Sequence, residues 1–421
     1  MKTRTLSSSF SATTKALLLC LFLNQIITAR LHAQPNFRVI HSFGILTNDG
    51  AFSLADLILS GSRLYGTTQD GGSAGSSDGG TVLKVNTDGS GYAVLKNFPA
   101  TIYNPTTGLY TNSDGANPSA GLTLSGSTLY GTTRAGDSSG SGTVVKLNTD
   151  GTGFASLHSF PELPLSYLLT NSEGGRPYAG LTLSGSTLYG TTYYGVSSGG
   201  GTEFEVNTDG SGFTVLRDFF GSGDGVFPLA GLTLSDSTLY GTTYQGGSSD
   251  RGTVFKLNTD GSGYTVLKNF TFTEGYDPLA GVTLAGSTLY GTTTSGGGSG
   301  GGTVFKLNTD GSGYTVLKNF TGSDGVYPKA GLILSGSTLY GTTFAGGDFN
   351  YGVLFAQSIY APIPLNIQRS GSGVILSWSD TAFALQSAPA ATGTFTNIPG
   401  ATSPHTNSVN TTQQFFRLIA N

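Results

Sequence analysis

Three groups of residues in this sequence have types and spacing that suit chemistry. The first is Asn-Thr-Asp-Gly-Ser-Gly, or a close variant, starting at Asn86, Asn148, Asn207, Asn258 and Asn308. Oxygens at alternate positions around a glycine resemble part of a calcium loop, but such a loop needs six or more oxygens and a late bidentate acid, and none follows. The same residues tolerate the positive φ that a hairpin turn requires. A turn is therefore the stronger reading and calcium the weaker, and no cofactor is expected. The second group is an acid before glycine, once per repeat: Asp49, Asp114, Glu173, Asp224, Glu274 and Asp324. A group present in every repeat suits a scaffold better than a catalyst, with a cation-binding ring of acids as the alternative. The third group is aromatic and amide residues that differ between repeats. Tyr103, Tyr110, Arg134, Tyr193, Tyr194, Tyr244, Gln245, Phe344 and Asp348 are the candidate ligand contacts. Exposed aromatic rings meet the apolar C–H faces of sugars while amides and acids reach hydroxyls. Packing of these rings against neighbouring loops is the competing explanation.

Nucleophilic and metal catalysis find little support. The chain has 4 His and 1 Cys. His41 and His158 stand where other repeats have Lys, His405 is remote in sequence, and no pair has metal-ligand spacing. A glycosidase built on paired carboxylates would draw its acids from different repeats, with Asp137, Asp250 and Asp348 as the non-repeated acids. A non-catalytic binding or surface-interaction protein is the favoured reading. A carbohydrate-active enzyme and a pure display scaffold are the alternatives.

Repeats must position these residues. Leu-Tyr-Gly-Thr-Thr begins at Leu64, Leu129, Leu188, Leu239, Leu289 and Leu339, and the last copies are spaced 50–51 residues apart. A second string, typified by Gly-Thr-Val-Phe-Lys-Leu, also occurs six times, and Gly252–Thr271 is identical to Gly302–Thr321. Each repeat reads as four short strands: Ala-Gly-Leu-Thr-Leu-Ser, Ser-Thr-Leu-Tyr-Gly-Thr-Thr, Gly-Thr-Val-Phe-Lys-Leu and Tyr-Thr-Val-Leu-Lys-Asn-Phe. Four strands in about 50 residues is the size of a propeller blade. The fourth strand is missing from the last repeat. Its match, Phe37-Arg38-Val39-Ile40-His41-Ser42-Phe43, stands at the other end. Such a permutation suits a ring in which the N-terminal strand closes the seam. Lysine at the fifth position of the fourth strand reads as protection of an exposed edge. In such a blade, the loops between strands two and three and those between repeats emerge on one face. Two inter-repeat loops, Pro99–Ser119 and Pro161–Tyr178, are longer than the rest and adjacent. They carry Tyr103, Asn104, Tyr110, Tyr167 and Arg176.

On these strings the chain resembles the GloVer tandem-repeat (choice-of-anchor) family of secreted bacterial proteins, over roughly 37–356. The resemblance implies a β-propeller-like fold and an extracellular setting, and no established activity. Many members end in a surface anchor, and this chain departs from them in lacking such a segment.

The expected fold is all-β: a six-bladed propeller over 34–360, closed by the N-terminal strand, then a small C-terminal β-sandwich-like module over 361–421. That module resembles compact fibronectin-like modules and has Trp378 as its core. Residues 1–33 read as a signal peptide. Lys2, Arg4 and Lys15 precede an apolar stretch, Ala16–Ile27, that is too short to span a bilayer. The rest has 16 basic against 24 acidic residues, a formal charge of −8. That balance disfavours nucleic acid and anionic membranes as partners. The expectations are a secreted or cell-surface location, no membrane span in the mature chain, a monomer, and a glycan or extracellular protein as ligand.

Overall fold

A computed structural model describes residues 39–43, 48–72, 79–105, 108–163, 170–197, 199–221, 223–359, 365–370, 373–379, 383–390, 394–408 and 415–420. The signal-peptide reading and Tyr167 fall outside them. The described residues are all-β. Five four-stranded antiparallel sheets are followed by a sixth of three strands, each a meander in chain order. The first sheet comprises Ile58–Ser60, Arg63–Thr68, Thr81–Asn86 and Ala93–Asn97. The sixth comprises Ile333–Ser335, Thr338–Thr342 and Leu354–Ser358. Among the described residues no helix is long and apolar enough to cross a membrane.

Each residue of Leu-Tyr-Gly-Thr-Thr has a structural task. In the second repeat Leu129 and Tyr130 are buried on opposite faces, as strand alternation requires. Leu129 packs into the junction with the first sheet and Tyr130 into the junction with the third. The glycine makes room for a neighbour: a Cβ at Gly190 would sit 2.6 Å from the Phe204 ring. The first threonine crosses to the next sheet, where Thr132 Oγ1 donates to the Ala179 carbonyl at 2.9 Å. The same bond recurs from Thr67, Thr191, Thr242 and Thr292. The second threonine pairs with the third strand, Thr133 to Thr143 at 2.8 Å.

Between consecutive sheets lie five separate apolar cores, each built by one rule. The tyrosine, third-strand valine and terminal phenylalanine of one sheet meet the leucines and third-strand phenylalanine of the next, save that Glu203 stands at the valine place of the third sheet and Val145 at the phenylalanine place of the second. Tyr240, Val254 and Phe270 against Val282, Leu289 and Phe305 is one instance. The inner strands of the first four sheets line one cavity of about 380 Å³, through Leu57, Leu122, Leu181 and Leu232. The sheets thus face a common centre, as propeller-like packing requires.

The Asn-Thr-Asp-Gly-Ser-Gly segments are hairpin turns. Asp88 Oδ1 accepts from the Ser90 N–H at 2.9 Å and from its hydroxyl at 2.6 Å, with Gly89 at φ 85°. The same pattern holds at Asp150, Asp209, Asp260 and Asp310. The repeated acids are also structural. Each pairs with the fifth residue of a fourth-strand segment: Asp49 with His41, Asp114 with Lys96, Glu173 with His158, Asp224 with Arg217, Glu274 with Lys268 and Asp324 with Lys318. All of these side chains but Lys318 also lie over an aromatic ring of the following sheet, as Lys268 does over Tyr314 at 4.2 Å. This corrects the reading of the lysines as edge guards: Lys268 keeps only 15% of its side-chain surface exposed, because it bridges two sheets.

Among the described residues no ladder closes a ring through the N-terminal strand; the ladder of Leu354–Ser358 is with Thr338–Thr342. Val39–Phe43 lies on the first sheet, with His41 stacked on Tyr92 at 3.6 Å and its Nε2 2.9 Å from Asp49. Leu354 remains 76% exposed, where the matching Val304 is fully buried. The segment thus makes its contact with the following sheet but not its ladder with the preceding one.

Beyond the repeats, two three-stranded sheets are present. One holds Asn366–Ser370, Gly373–Ser377 and His405–Ser408, and the other Thr396–Asn397, Phe383–Ala388 and Phe415–Ala420. Trp378, Leu376 and Leu385 form the buried cluster, with Phe416 and Leu418 packed on it.

Candidate ligand-binding site

The loops between strands two and three and the inter-repeat loops do share one face, and they pair with each other. Isolated bridges join Ala116 to Ala135, Gly175 to Tyr194, Val226 to Gln245, Tyr276 to Ser295 and Val326 to Ala345. After each bridge comes a non-glycine residue in the left-handed region: Asn117, Arg176, Phe227, Asp277 and Tyr327, with Phe52 in the first repeat, at φ 55–59°. Such a conformation costs about 1–3 kcal/mol and needs over-determination by its surroundings. Two backbone bonds provide it. The Arg176 N–H donates to the Ser141 carbonyl of the preceding repeat at 2.7 Å, and its carbonyl accepts from the Tyr193 N–H at 3.1 Å. The constant backbone therefore holds two variable side chains per repeat. One is the left-handed residue, the other the residue after Leu-Tyr-Gly-Thr-Thr: Gln69, Arg134, Tyr193, Tyr244, Thr294 or Phe344.

At the second and third repeats these four variable positions are Asn117, Arg134, Arg176 and Tyr193, of which the first three line a cavity. Tyr110 and Tyr178 line it too, and its volume is about 480 Å³. The long loop Pro99–Ser119 builds one wall. It folds into a two-stranded hairpin, Ile102–Asn104 with Leu109–Thr111, which holds Tyr103 5.2 Å from Tyr110. Both rings are more than half exposed. Arg134 stacks on Tyr178 at 5.4 Å and Arg176 on Tyr194 at 5.3 Å. Stacking occupies the flat face of a guanidinium and leaves its N–H edge for acceptors. Among the described residues neither arginine forms an ion pair. Asn117 is already committed, through Nδ2, to the Gln69 carbonyl and to Asp70.

The cavity brings Tyr110 and Arg134 together from the sequence-predicted set, while Tyr103 lies beside Tyr110 on the hairpin and Arg176 stacks on Tyr194. Tyr193 is a packing residue. It stacks on Phe227 at 4.7 Å and meets Tyr178 and Tyr194 edge-on. Burial first, then its tyrosine neighbours, lift its phenol pKa, with Arg176 opposing. Tyr244 and Gln245 belong to the fourth repeat. Phe344 and Asp348 belong to the sixth, where Lys329 covers the Phe344 ring at 3.6 Å. These four are therefore not part of the cavity lining. Tyr178 and Asn117 escaped the sequence reading. Their signal was present, since Asn117 precedes and Tyr178 follows a proline that recurs in five of the six repeats, but the left-handed backbone before it is not a sequence property.

The three non-repeated acids sit on loops of three different sheets. The Asp137 backbone is bound through Asn112, and Asp250 Oδ1 caps its own loop at the Gly246 N–H. Burial lifts the Asp277 carboxyl, Arg251 opposes this, and Asp250 raises it further. Among the described residues no three His, Cys, Asp or Glu gather as a metal site would need.

Residues 161–355 match the Gloeobacter/Verrucomicrobia repeat. Over those residues the chain is similar to that family. No curated protein matches the chain. Solved structures with a similar course include a nidogen/laminin complex, 14% identical over 70% of this chain and 89% of that one, TM-score 0.40. Others are one described as a 6-phosphogluconolactonase from Bacteroides fragilis, 17% identical over 86% and 100%, TM-score 0.42, and the tricorn protease, 13% identical over 85% and 32%, TM-score 0.38. At these scores none carries an argument about the function of the Gloeobacter/Verrucomicrobia repeats in this chain.

Proposed function

We propose that this chain is a secreted, non-catalytic binding protein whose propeller-like repeats present the Tyr110–Arg134–Arg176–Tyr178 cavity to an acidic extracellular glycan. The observation that carries the reading is the pair of arginines, free of acidic partners among the described residues, in a cavity walled by tyrosines. A ring face suits the apolar side of a sugar, and guanidinium forks suit carboxylate or sulfate. The contrast with the fourth and fifth repeats supports it: there the one arginine, Arg251, has Asp277 beside it.

The test is retention on immobilised acidic and neutral polysaccharides, with product release followed in the same wells. Acidic polysaccharides should retain the protein, and retention should fall with salt. Arg176→Ala should weaken it by about tenfold or more, the scale of one charged hydrogen bond. Retention that ignores both salt and Arg176 would sink the reading. Release of sugar would instead favour an enzyme and direct attention to Asp250 and Asp277.

A further inference from the structure

The second of the C-terminal sheets carries a row of polar side chains across its three strands. Gln386 stands directly opposite Asn397 on one side and Arg417 on the other. Directly opposed residues share a face. Leu385, Phe416 and Leu418, each one residue away along a strand, belong to the apolar cluster around Trp378. Strand alternation therefore puts the row on the face turned away from that cluster.

The row is tied together. Arg417 Nε donates to Gln386 Oε1 at 2.8 Å, and Gln386 Nε2 donates to Asn397 Oδ1 at 2.7 Å. The Phe395 ring lies against the guanidinium, 4.3 Å from the Arg417 Cζ. Gln386 is only 8% exposed, while Arg417 and Asn397 are exposed. A buried amide thus aims an exposed cation. An arginine side chain carries about 2 kcal/mol of rotamer entropy. The ring and the Nε bond already restrain this one, so a ligand has less to order. With Nε used and one flat side covered, Arg417 presents its Nη1 and Nη2 edge. That fork matches two oxygens of a carboxylate, sulfate or phosphate. Acids to occupy it are scarce nearby in sequence: residues 361–421 hold one acidic side chain, Asp380, against Arg369 and Arg417.

We propose that Arg417, aimed by Gln386 and Phe395, is a binding site for an oxyanion carried on an acidic polymer. The guanidinium fork takes the oxyanion, and Asn397 Nδ2 supplies a further donor beside it. The site shares no residue with the cavity at Arg134 and Arg176 and does not rest on it. Two such sites on one chain would hold one polymer at two points, where the first contact raises the effective concentration for the second.

The test passes the full chain over an immobilised polyuronate, a sulfated polysaccharide, a polyphosphate and a neutral glucan. The matrix that retains it tells which oxyanion fits. Arg417→Met keeps a stem over Phe395 and removes the fork. It should lower retention on that matrix roughly tenfold, the scale of one charged hydrogen bond, and should do so again in an Arg176→Ala background. Gln386→Glu keeps an acceptor for Arg417 Nε but cancels the charge. It should lose the same retention while the melting temperature holds, which a purely structural row would not do. Loss with Arg176→Ala and none with Arg417→Met overturns this proposal and leaves the cavity reading standing. Loss with Arg417→Met and none with Arg176→Ala does the reverse. A Gln386→Glu chain retained like the intact one, an equal loss on the neutral glucan, or an intact chain that no anionic matrix retains each overturns the site.

Discussion

The walls between sheets and the loop face above them are built from the same repeats, yet they use sequence in opposite ways. The walls repeat closely: Phe204, Phe255 and Phe305 are all fully buried in equivalent places. On the loop face the backbone repeats and the side chains do not, so that Asn117, Arg176, Phe227, Asp277 and Tyr327 share one strained conformation. Repetition marks where packing is demanded, and variation on a fixed backbone marks where a ligand can be chosen.

The sharpest way to break that contrast is to empty a wall. Phe255→Ala should cost about 3–5 kcal/mol and lower the urea midpoint clearly. A small change would mean that the cores between sheets do not hold the array together.

Glu203 breaks the wall rule naturally. It stands where other sheets have Val82, Val144, Val254 and Val304, and it is fully buried. Neither carboxyl oxygen has a hydrogen-bond partner, and the Nε of its cross-strand neighbour Arg217 also lacks one. Burial pushes the carboxyl from its usual 4.5 up to about 8. The other charged or titratable groups facing this site are Asp224, which pairs with Arg217, and Tyr264. The folded state thus holds this proton more tightly than the unfolded state does. Its contribution to stability is complete below pH 4.5 and declines as pH rises through about 8. Glu203→Val should therefore raise the urea midpoint, by more at alkaline than at acidic pH. A gain that is the same at both ends would show that the carboxyl does not titrate in this window.

Smaller effects are expected from the charges that bridge sheets. Lys268→Met should keep the packing over Tyr314, lose the Glu274 pair, and change stability by about 0.2–1 kcal/mol. On the loop face, Arg176→Ala should leave the melting temperature almost unchanged while reducing retention on acidic glycans. A large loss of stability there would move Arg176 to the scaffold.

Most of the scaffold was legible. The six copies of Leu-Tyr-Gly-Thr-Thr, the alternation around them and the turn residues at Asn86-Thr87-Asp88-Gly89 require local hydrogen bonding and period-two burial, both of which are written in neighbouring residues. The site was legible only in part. Tyr110 and Arg134 stood out because they differ between repeats, while Tyr193 differs too and stacks on Phe227 outside the cavity lining.

The sequence by itself determined the strands and their order, because the same strings recur in the same order in successive repeats. It also placed a fourth-strand segment at the N-terminal end. Only the tertiary structure decided where that segment docks, and which variable side chains share a cavity. Both depend on how far each sheet turns relative to the last. That angle is set by side-chain packing summed over five junctions, and no local pattern of residues encodes the sum.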